Sequence, residues 1–139
     1  MLKTGKVSFF QLRLKKYSFP QKIVIGKIIQ KICKKYGVKF LINDDPILSK
    51  KLNADGCHLG QMDMNIKDAR KIMGNKIIGI TCHNSVRLAK AAVKDKASYI
   101  AFGAFFSTKT KKVKFKATIK ILNKVKKLTK TPIVAIGGI

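Results

Sequence analysis

The sequence predicts an α/β fold built from parallel strands, and three observations lead to this prediction. Short runs rich in Val, Ile and Phe alternate with longer stretches of helical period. The short runs are continuously apolar rather than alternating, which is typical of parallel strands covered on both faces. Strand and helix together repeat about every 20 to 30 residues, as expected for successive βα units.

Six segments are predicted as strands, and the stretches between them carry helical stripes. The strand segments are 7–14, 39–43, 56–60, 76–81, 98–106 and 132–138. The first stripe, at the i, i+3, i+4, i+7 spacing of one helix face, comprises Ile25, Ile28, Ile29, Ile32, Cys33 and Tyr36. A similar stripe runs through Ile119, Leu122 and Val125, and a weaker one through Val86, Ala89 and Val93.

The composition indicates one globular domain over residues 1–139, since 46% of the residues are hydrophobic. The net charge of +25 would attract nucleic acid, anionic lipid or phosphorylated small molecules. The excess is almost purely Lys and is spread over the chain, which disfavours a nucleic-acid footprint. The three cysteines are isolated, which predicts reduced thiols and a cytoplasmic location. The apolar runs are only as long as strands, which predicts that no segment spans a membrane.

Polar residues follow the C-terminal end of each predicted strand. They are Arg13 and Lys15, Asn43 and Asp44, Gln61 and Asp63, Thr81 and His83, Ser107 and Thr108, and Gly137 and Gly138. Parallel α/β sheets and barrels place their active sites at this end of the strands. We therefore expect one site built from six strand ends.

Local structure accounts for several of the six aspartates, in a chain that has no glutamate. Asp45 precedes Pro46, an arrangement typical of an N-cap followed by proline at the first helical position, and it predicts a helix over 46–52. Asn65 and Asp68 resemble a capping box and predict a second helix start. These carboxylates are expected to be structural.

The four other aspartates divide into two pairs, of which only one has a local structural role. Asp95 is assigned to a helix end and Asp55 to a turn before a strand. Asp44 and Asp63 are left over, each at a strand exit where no cap or turn requires it. Two carboxylates among lysines would suit Mg²⁺ bridging to a phosphate-bearing ligand, but on this pattern alone they are equally compatible with surface carboxylates.

Six short motifs occur together in this chain, and their order and spacing carry a resemblance. They are QLRLK (11–15), LIND (41–44), DGCHLGQMD (55–63), GITCH (79–83), STKTK (107–111) and AIGG (135–138). Together they resemble the thiamine-phosphate synthase family over about residues 7–139. The resemblance implies an incomplete (β/α)₈ TIM barrel, with about six of eight βα units, corresponding to strands 2 to 7.

The resemblance also implies a function. Members of the family join hydroxymethylpyrimidine diphosphate to thiazole phosphate and release pyrophosphate, with Mg²⁺ as cofactor. The matching positions give Asp44 and Asp63 as the magnesium ligands. The implied substrate-binding residues are Gln11, Arg13, Lys15, Asn43, Thr81, Thr108, Thr110, Lys111 and Gly138. Among these, Arg13, Lys15 and Lys111 would stabilise the charge that develops during catalysis.

Two other functions stay open, together with a question of length. One alternative is a related thiazole tautomerase, an isomerase, which His83 supports. The other is a non-catalytic nucleic-acid-binding module, which the basic net charge supports. His58 is expected to be buried within its strand. Family barrels have roughly 200 residues or more. We therefore expect this chain to be weakly stable or inactive alone, and to act as a fragment, an oligomer or one part of a complementing pair.

Overall fold

The computed structural model describes residues 2–106 and 115–139 of the chain. These residues form two compact units. The first unit comprises residues 2–59 and Asp63–Ile78, and the second comprises Gly60–Met62 and Gly79–Ile139. Every helix in the described residues is too short or too polar to cross a membrane.

Strands and helices alternate along the described chain as predicted. The strands are β1 (Phe9–Leu12), β2 (Lys39–Asn43), β3 (Gly56–Leu59), β4 (Ile77–Thr81), β5 (Tyr99–Phe102) and β6 (Ile133–Ala135). The helices are α1 (Phe19–Lys35), α2 (Pro46–Lys51), α3 (Ile66–Met73), α4 (Val86–Lys94) and α5 (Ile119–Lys126), preceded by a short 3₁₀ turn (Leu2–Thr4). β4 begins in the first unit and ends in the second.

The strand pairs within each unit are parallel, which confirms the predicted α/β class. In the first unit β2 lies between β1 and β3, with Leu12 opposite Ile42 and Asn43 opposite His58. In the second unit β5 lies between β4 and β6. Because the strands are parallel, their C-terminal ends lie at the same edge within each unit. The closed barrel of eight βα units stays a prediction.

The predicted helix starts are confirmed at the level of single hydrogen bonds. The Asp45 carboxylate accepts a hydrogen bond from the Leu48 N–H at 2.9 Å, at the start of α2. The Asn65 side chain accepts from the Asp68 N–H at 3.0 Å, at the start of α3. Each cap satisfies a backbone donor that the helix itself leaves without a partner.

The first unit has an apolar core in which β2 is central. Phe40 and Ile42 are each 1% exposed and pack with Leu48 of α2 and Cys33 of α1. The Phe10 and Phe40 rings stack with their centroids 6.5 Å apart. Continuous burial along β2 is what its unbroken apolar sequence predicts.

The stripe predicted for α1 is confirmed in part. Cys33 is buried and Ile29 and Tyr36 pack against the core, whereas Ile28 and Ile32 are 57% and 41% exposed. A Cβ at Gly26 would meet the side chain of Leu52, so the absence of a side chain lets α1 approach the end of α2 closely. The inward face of α1 therefore combines part of the apolar stripe with a close contact at Gly26.

A polar contact reinforces this packing of α1 against α2. The Gln30 side-chain amide donates to the backbone carbonyls of Leu52 and Asn53, at 2.9 and 3.2 Å. Carbonyls at the end of a helix have no partner within the helix, so Gln30 satisfies groups that α2 leaves free.

Asp55 does more than form the predicted turn. Its carboxylate accepts from the backbone N–H of Phe40 at 2.9 Å and lies 3.2 Å from the Lys39 ammonium. Its own backbone N–H donates to the Phe40 carbonyl, and its carbonyl accepts from the Ile77 N–H. One residue therefore fixes the beginnings of β2 and β4 within the first unit.

The second unit has its own core around β5. Ile100 and Phe102 are fully buried, and Val125 of α5 is 1% exposed. The stripe predicted for α5 is wrong at its first member, because Ile119 is 71% exposed and Ile121 is buried instead. The helix starts after Thr118, so Ile119 lies in its first turn on the exposed side.

Candidate functional site

Asp44 and Asp63 are brought together in the first unit. Asp44 follows β2 directly, and Asp63 lies in the turn between β3 and α3. Burial raises the pKa of Asp44, and the hydrogen bond and negative charge of Asp63 raise it further. Two carboxylates this close repel each other when both are ionised, so they attract either a shared proton or a cation.

The backbone at Asp44 adopts an uncommon conformation. Its φ is +65°, in the left-handed region that Asp tolerates better than most residues. Its N–H donates to the His58 carbonyl at 2.8 Å, which continues the β2–β3 pairing by one residue. Asp45 then caps α2. The chain thus turns from strand to helix within two residues and holds the Asp44 carboxylate at the strand end.

Two basic side chains flank the carboxylate pair. The Lys15 ammonium lies 3.7 Å from an Asp44 carboxylate oxygen, and the Lys15 side chain is 60% exposed. The positive charges of Lys15 and Arg13 both act to lower the pKa of Asp44, against the stronger effects that raise it. A long ion pair on an exposed lysine is weak. Lys15 can therefore turn to an incoming anion at little cost.

The carboxylate pair adjoins an open cleft of about 460 Å³ in the first unit. Its polar lining includes Lys15, Asn43 and Asp44. Its apolar lining includes Leu14 and Ile47. The cleft therefore presents charged and apolar groups side by side, which suits a ligand that has both an anionic part and a ring.

Gln11 is placed differently from its neighbours in the QLRLK motif. It lies within β1 opposite Leu41 and is half-buried. Gln11 is not among the residues that line the cleft in the described part of the chain. Arg13 and Lys15, which come after the strand ends, are the members of the motif whose charges act on Asp44.

His58 is buried in β3, as the sequence predicts. It is 5% exposed, and burial lowers its pKa to about 4, although the charge of Asp63 acts in the opposite direction. His58 is therefore neutral near pH 7. It contributes packing and hydrogen bonding next to the carboxylate pair rather than a positive charge.

Three residues predicted from the sequence to lie at the site follow or end strands of the second unit. Thr81 is the last residue of β4, opposite Ala101, and its carbonyl accepts from the Gln61 side-chain amide at 2.6 Å. Gly137 and Gly138 follow β6 with φ values of +93° and +77°, a conformation that favours glycine. A Cβ at Gly138 would also come within 2.7 Å of the Phe106 carbonyl oxygen.

His83 lies just beyond β4 in the second unit. Its ring packs against Phe115, with centroids 4.4 Å apart, and its carbonyl accepts from the Gly103 N–H at 3.0 Å. The predicted site residues Thr108, Thr110 and Lys111 lie outside the described residues, as does Ser107.

The carboxylate pair fits the ligand preference of Mg²⁺. This ion binds oxygen ligands, uses one or two protein carboxylates, and completes its shell with phosphate oxygens and water. Within residues 2–106 and 115–139 no group of three or more His, Cys, Asp or Glu side chains forms a metal site of the kind that zinc prefers. Binding of Mg²⁺ at the ends of β2 and β3 stays a prediction.

One residue of the cleft was missed by the sequence analysis. Lys22, in the first turn of α1, lines the cleft beside Lys15 and Asp44. It belongs to no motif and follows no strand, so only the folding of α1 against β2 brings it there. Because the chain has 28 lysines, the sequence alone does not distinguish Lys22 from the others.

Comparisons with known proteins point to one family. The family model described as thiamine monophosphate synthase matches residues 1–139. A thiamine-phosphate synthase from Pelagibacter ubique is 64% identical over 139 residues, covering all of this chain and 67% of that protein. One from Nitrosococcus oceani is 41% identical, covering 97% of this chain and 63% of that protein.

A solved structure agrees with these relatives. The thiamine phosphate pyrophosphorylase from Pyrococcus furiosus superposes with a TM-score of 0.88 at 30% identity, covering 99% of this chain and 66% of that chain. The chain thus spans about two thirds of the length of the proteins it matches. None of these matches favours a tautomerase or a nucleic-acid-binding module. By sequence along its whole length, this chain belongs to the thiamine monophosphate synthase family.

Proposed function

We propose that this chain takes part in thiamine-phosphate synthesis and binds the pyrimidine diphosphate substrate, with Mg²⁺, in the cleft beside Asp44 and Asp63. Family membership supports the reaction class. The observation that carries the assignment of the site is the contact between these two carboxylates, flanked by Lys15 and Arg13. The pair would hold Mg²⁺, which supplies positive charge for the diphosphate when it is bound.

The basic residues around the pair would bind the leaving group. Breaking the C–O bond to the diphosphate leaves both bonding electrons on an oxygen of pyrophosphate. Arg13 and Lys15 would stabilise this negative charge by donating hydrogen bonds to the phosphate oxygens. Asn43, which lines the same cleft, would donate its side-chain amide to the diphosphate.

The apolar side of the cleft would receive the pyrimidine ring. Leu14, Ile47 and Met64 supply this lining. A ring held there can delocalise the positive charge that develops on its methylene carbon as pyrophosphate departs. The thiazole nitrogen then forms the new C–N bond to that carbon. This scheme requires no nucleophile from the protein, so the buried cysteines need no catalytic role.

Strand ends of the second unit carry the remaining proposed substrate contacts. Thr81 would contact the pyrimidine, and Gly138 would offer its backbone N–H to a phosphate of the thiazole. Thr108 and Thr110, outside the described residues, would hold the same phosphate, and Lys111 would bind pyrophosphate. Gln11 would support the diphosphate-binding end of β1.

A binding experiment followed by a turnover experiment tests the proposal. We expect the pyrimidine diphosphate to bind in isothermal titration calorimetry when Mg²⁺ is present and to bind at least tenfold more weakly in EDTA. Asp63→Asn should weaken the magnesium-dependent binding to a similar degree, because it removes one of two carboxylates. Asp68→Asn is the matched control, since Asp68 is an exposed first-turn carboxylate that pairs with Lys71.

The turnover arm mixes the chain with both precursors and Mg²⁺ and detects thiamine phosphate by chromatography. Turnover that Asp63→Asn abolishes would support the full reaction. Binding without turnover would restrict the proposal to binding of the pyrimidine diphosphate. Binding of the pyrimidine diphosphate that ignores both Mg²⁺ and Asp63→Asn would refute the proposed site.

A further inference from the structure

Lys22 occupies an unusual position for a lysine. It lies in the first turn of α1, where its N–H donates to the Ser18 carbonyl at 2.9 Å. Its side chain is half-buried and lines the cleft that also contains Lys15 and Asp44. Most lysines of α1, such as Lys27, are instead exposed to solvent.

The electrostatics at this position disfavour a lysine. The N-terminal end of a helix carries partial positive charge, which a cation opposes. The first turn of α1 contains no acidic residue to compensate. Lys22 forms no ion pair with any residue in the described part of the chain, although Asp44 and Asp45 line the same cleft. The arrangement leaves the Lys22 ammonium beside the cleft without an ion-pair partner in the described residues.

An anionic ligand in the cleft would supply that counter-charge. A diphosphate presents several anionic oxygens, and more than one ammonium group can donate to it at once. Lys15 is the ammonium already assigned to this anion, and Lys22 lines the cleft with it.

We propose that Lys22 is a further diphosphate-binding residue, which adds a cation to those supplied by Arg13 and Lys15. This inference rests on the proposed function, because it takes the diphosphate to be the ligand of this cleft. It assigns to Lys22 a role in binding and not in bond breaking. Loss of its charge should therefore weaken binding of any diphosphate, including inorganic pyrophosphate.

The test compares two substitutions that remove the same charge. Lys22→Gln and Lys27→Gln each lower the net charge by one, so general attraction to the basic chain changes equally in both. With inorganic pyrophosphate and Mg²⁺ as the probe in calorimetry, we expect Lys22→Gln to weaken binding about 10- to 150-fold, the range for one charge-assisted hydrogen bond. We expect Lys27→Gln to change it less than about twofold.

A third variant and a stability measurement complete the design. Lys22→Arg should restore most of the affinity, since it keeps the charge, and thermal unfolding should show that all variants are folded. Equal affinities for Lys22→Gln and Lys27→Gln would overturn the role of Lys22 and leave the proposed function standing. Pyrophosphate binding that is lost in Lys22→Gln but unaffected by Asp63→Asn would support the role of Lys22 and refute the magnesium site instead.

Discussion

Replacing Asp55 with alanine should destabilise the first unit well beyond the loss of a surface ion pair. The carboxylate accepts a 2.9 Å hydrogen bond from the backbone N–H of Phe40, a residue that is 1% exposed. It also pairs with Lys39 at 3.2 Å, but the Lys39 side chain is 58% exposed. The two interactions therefore differ in how much their loss should cost.

The magnitude follows from treating the interactions separately. A buried N–H left without its acceptor costs about 1–3 kcal/mol. An exposed ion pair contributes about 0–1 kcal/mol. The backbone hydrogen bonds of Asp55 to Phe40 and Ile77 survive the substitution. We therefore expect Asp55→Ala to cost about 1–4 kcal/mol and Lys39→Gln less than about 1 kcal/mol. Asp55→Asn, which keeps an acceptor oxygen, should fall between them.

Urea unfolding followed by circular dichroism measures these losses, and amide hydrogen exchange at Phe40 gives a local readout. Asp55→Ala should speed exchange of the Phe40 amide more than that of other β2 amides, whereas Lys39→Gln should leave it nearly unchanged. If Asp55→Ala and Lys39→Gln cost the same, the carboxylate acts only as a surface partner of lysine. The reasoning from the buried hydrogen bond would then be refuted.

Three further predictions concern the same unit. The pKa of His58 falls from 6.5 in the unfolded chain to about 4 in the fold, so the unfolded chain binds more protons between these values and stability decreases as pH falls through that window. Urea unfolding should show a loss of about 2 kcal/mol between pH 7.5 and pH 5 that His58→Gln removes. Asp63→Asn should lower the raised pKa of Asp44 in metal-free protein, as measured by carbon-detected NMR titration. The stability of the variant should then decline less than that of the parent chain as pH rises through that pKa. An unchanged Asp44 pKa would contradict the contact between the two carboxylates. Gly56→Ala should lower the free energy of unfolding by about 2 kcal/mol or more in the same assay, because a Cβ there meets the backbone of β4. Gly26→Ala should lower it clearly less. The Cβ at position 26 meets the movable end of a leucine side chain, and alanine has the higher helix propensity.

Local signals in the sequence predict the elements and their starts well. The Asp45–Pro46 and Asn65–Asp68 pairs identify the first residues of α2 and α3, because capping depends on neighbours within four positions. The continuous apolar runs locate β2 to β4 almost to the residue. The prediction that Asp44 and Asp63 meet also follows from a simple rule, since the ends of adjacent parallel strands share an edge.

Features that depend on how helices and strands pack together could not be predicted from local sequence signals. Apolar spacing predicted that Ile28 and Ile32 pack inward with the rest of the α1 stripe, but both are exposed, and that spacing gives no signal of the close approach at Gly26. Asp55 reads as a turn residue, and only the register of β2 against β3 gives its carboxylate a buried donor. Lys22 reaches the cleft through the same packing of α1. In each case the decisive partner is distant in the sequence.

The three buried cysteines give the chain a set of internal reporters. Burial raises the pKa of Cys57 and Cys82 to about 12, and it also raises the pKa of Cys33. Since the thiolate is the reactive species, alkylating reagents should modify these thiols only when the surrounding structure opens. Cys33 and Cys57 belong to the first unit and Cys82 to the second. Labelling rates at individual cysteines, read by mass spectrometry, can therefore show whether the two units open together or one at a time.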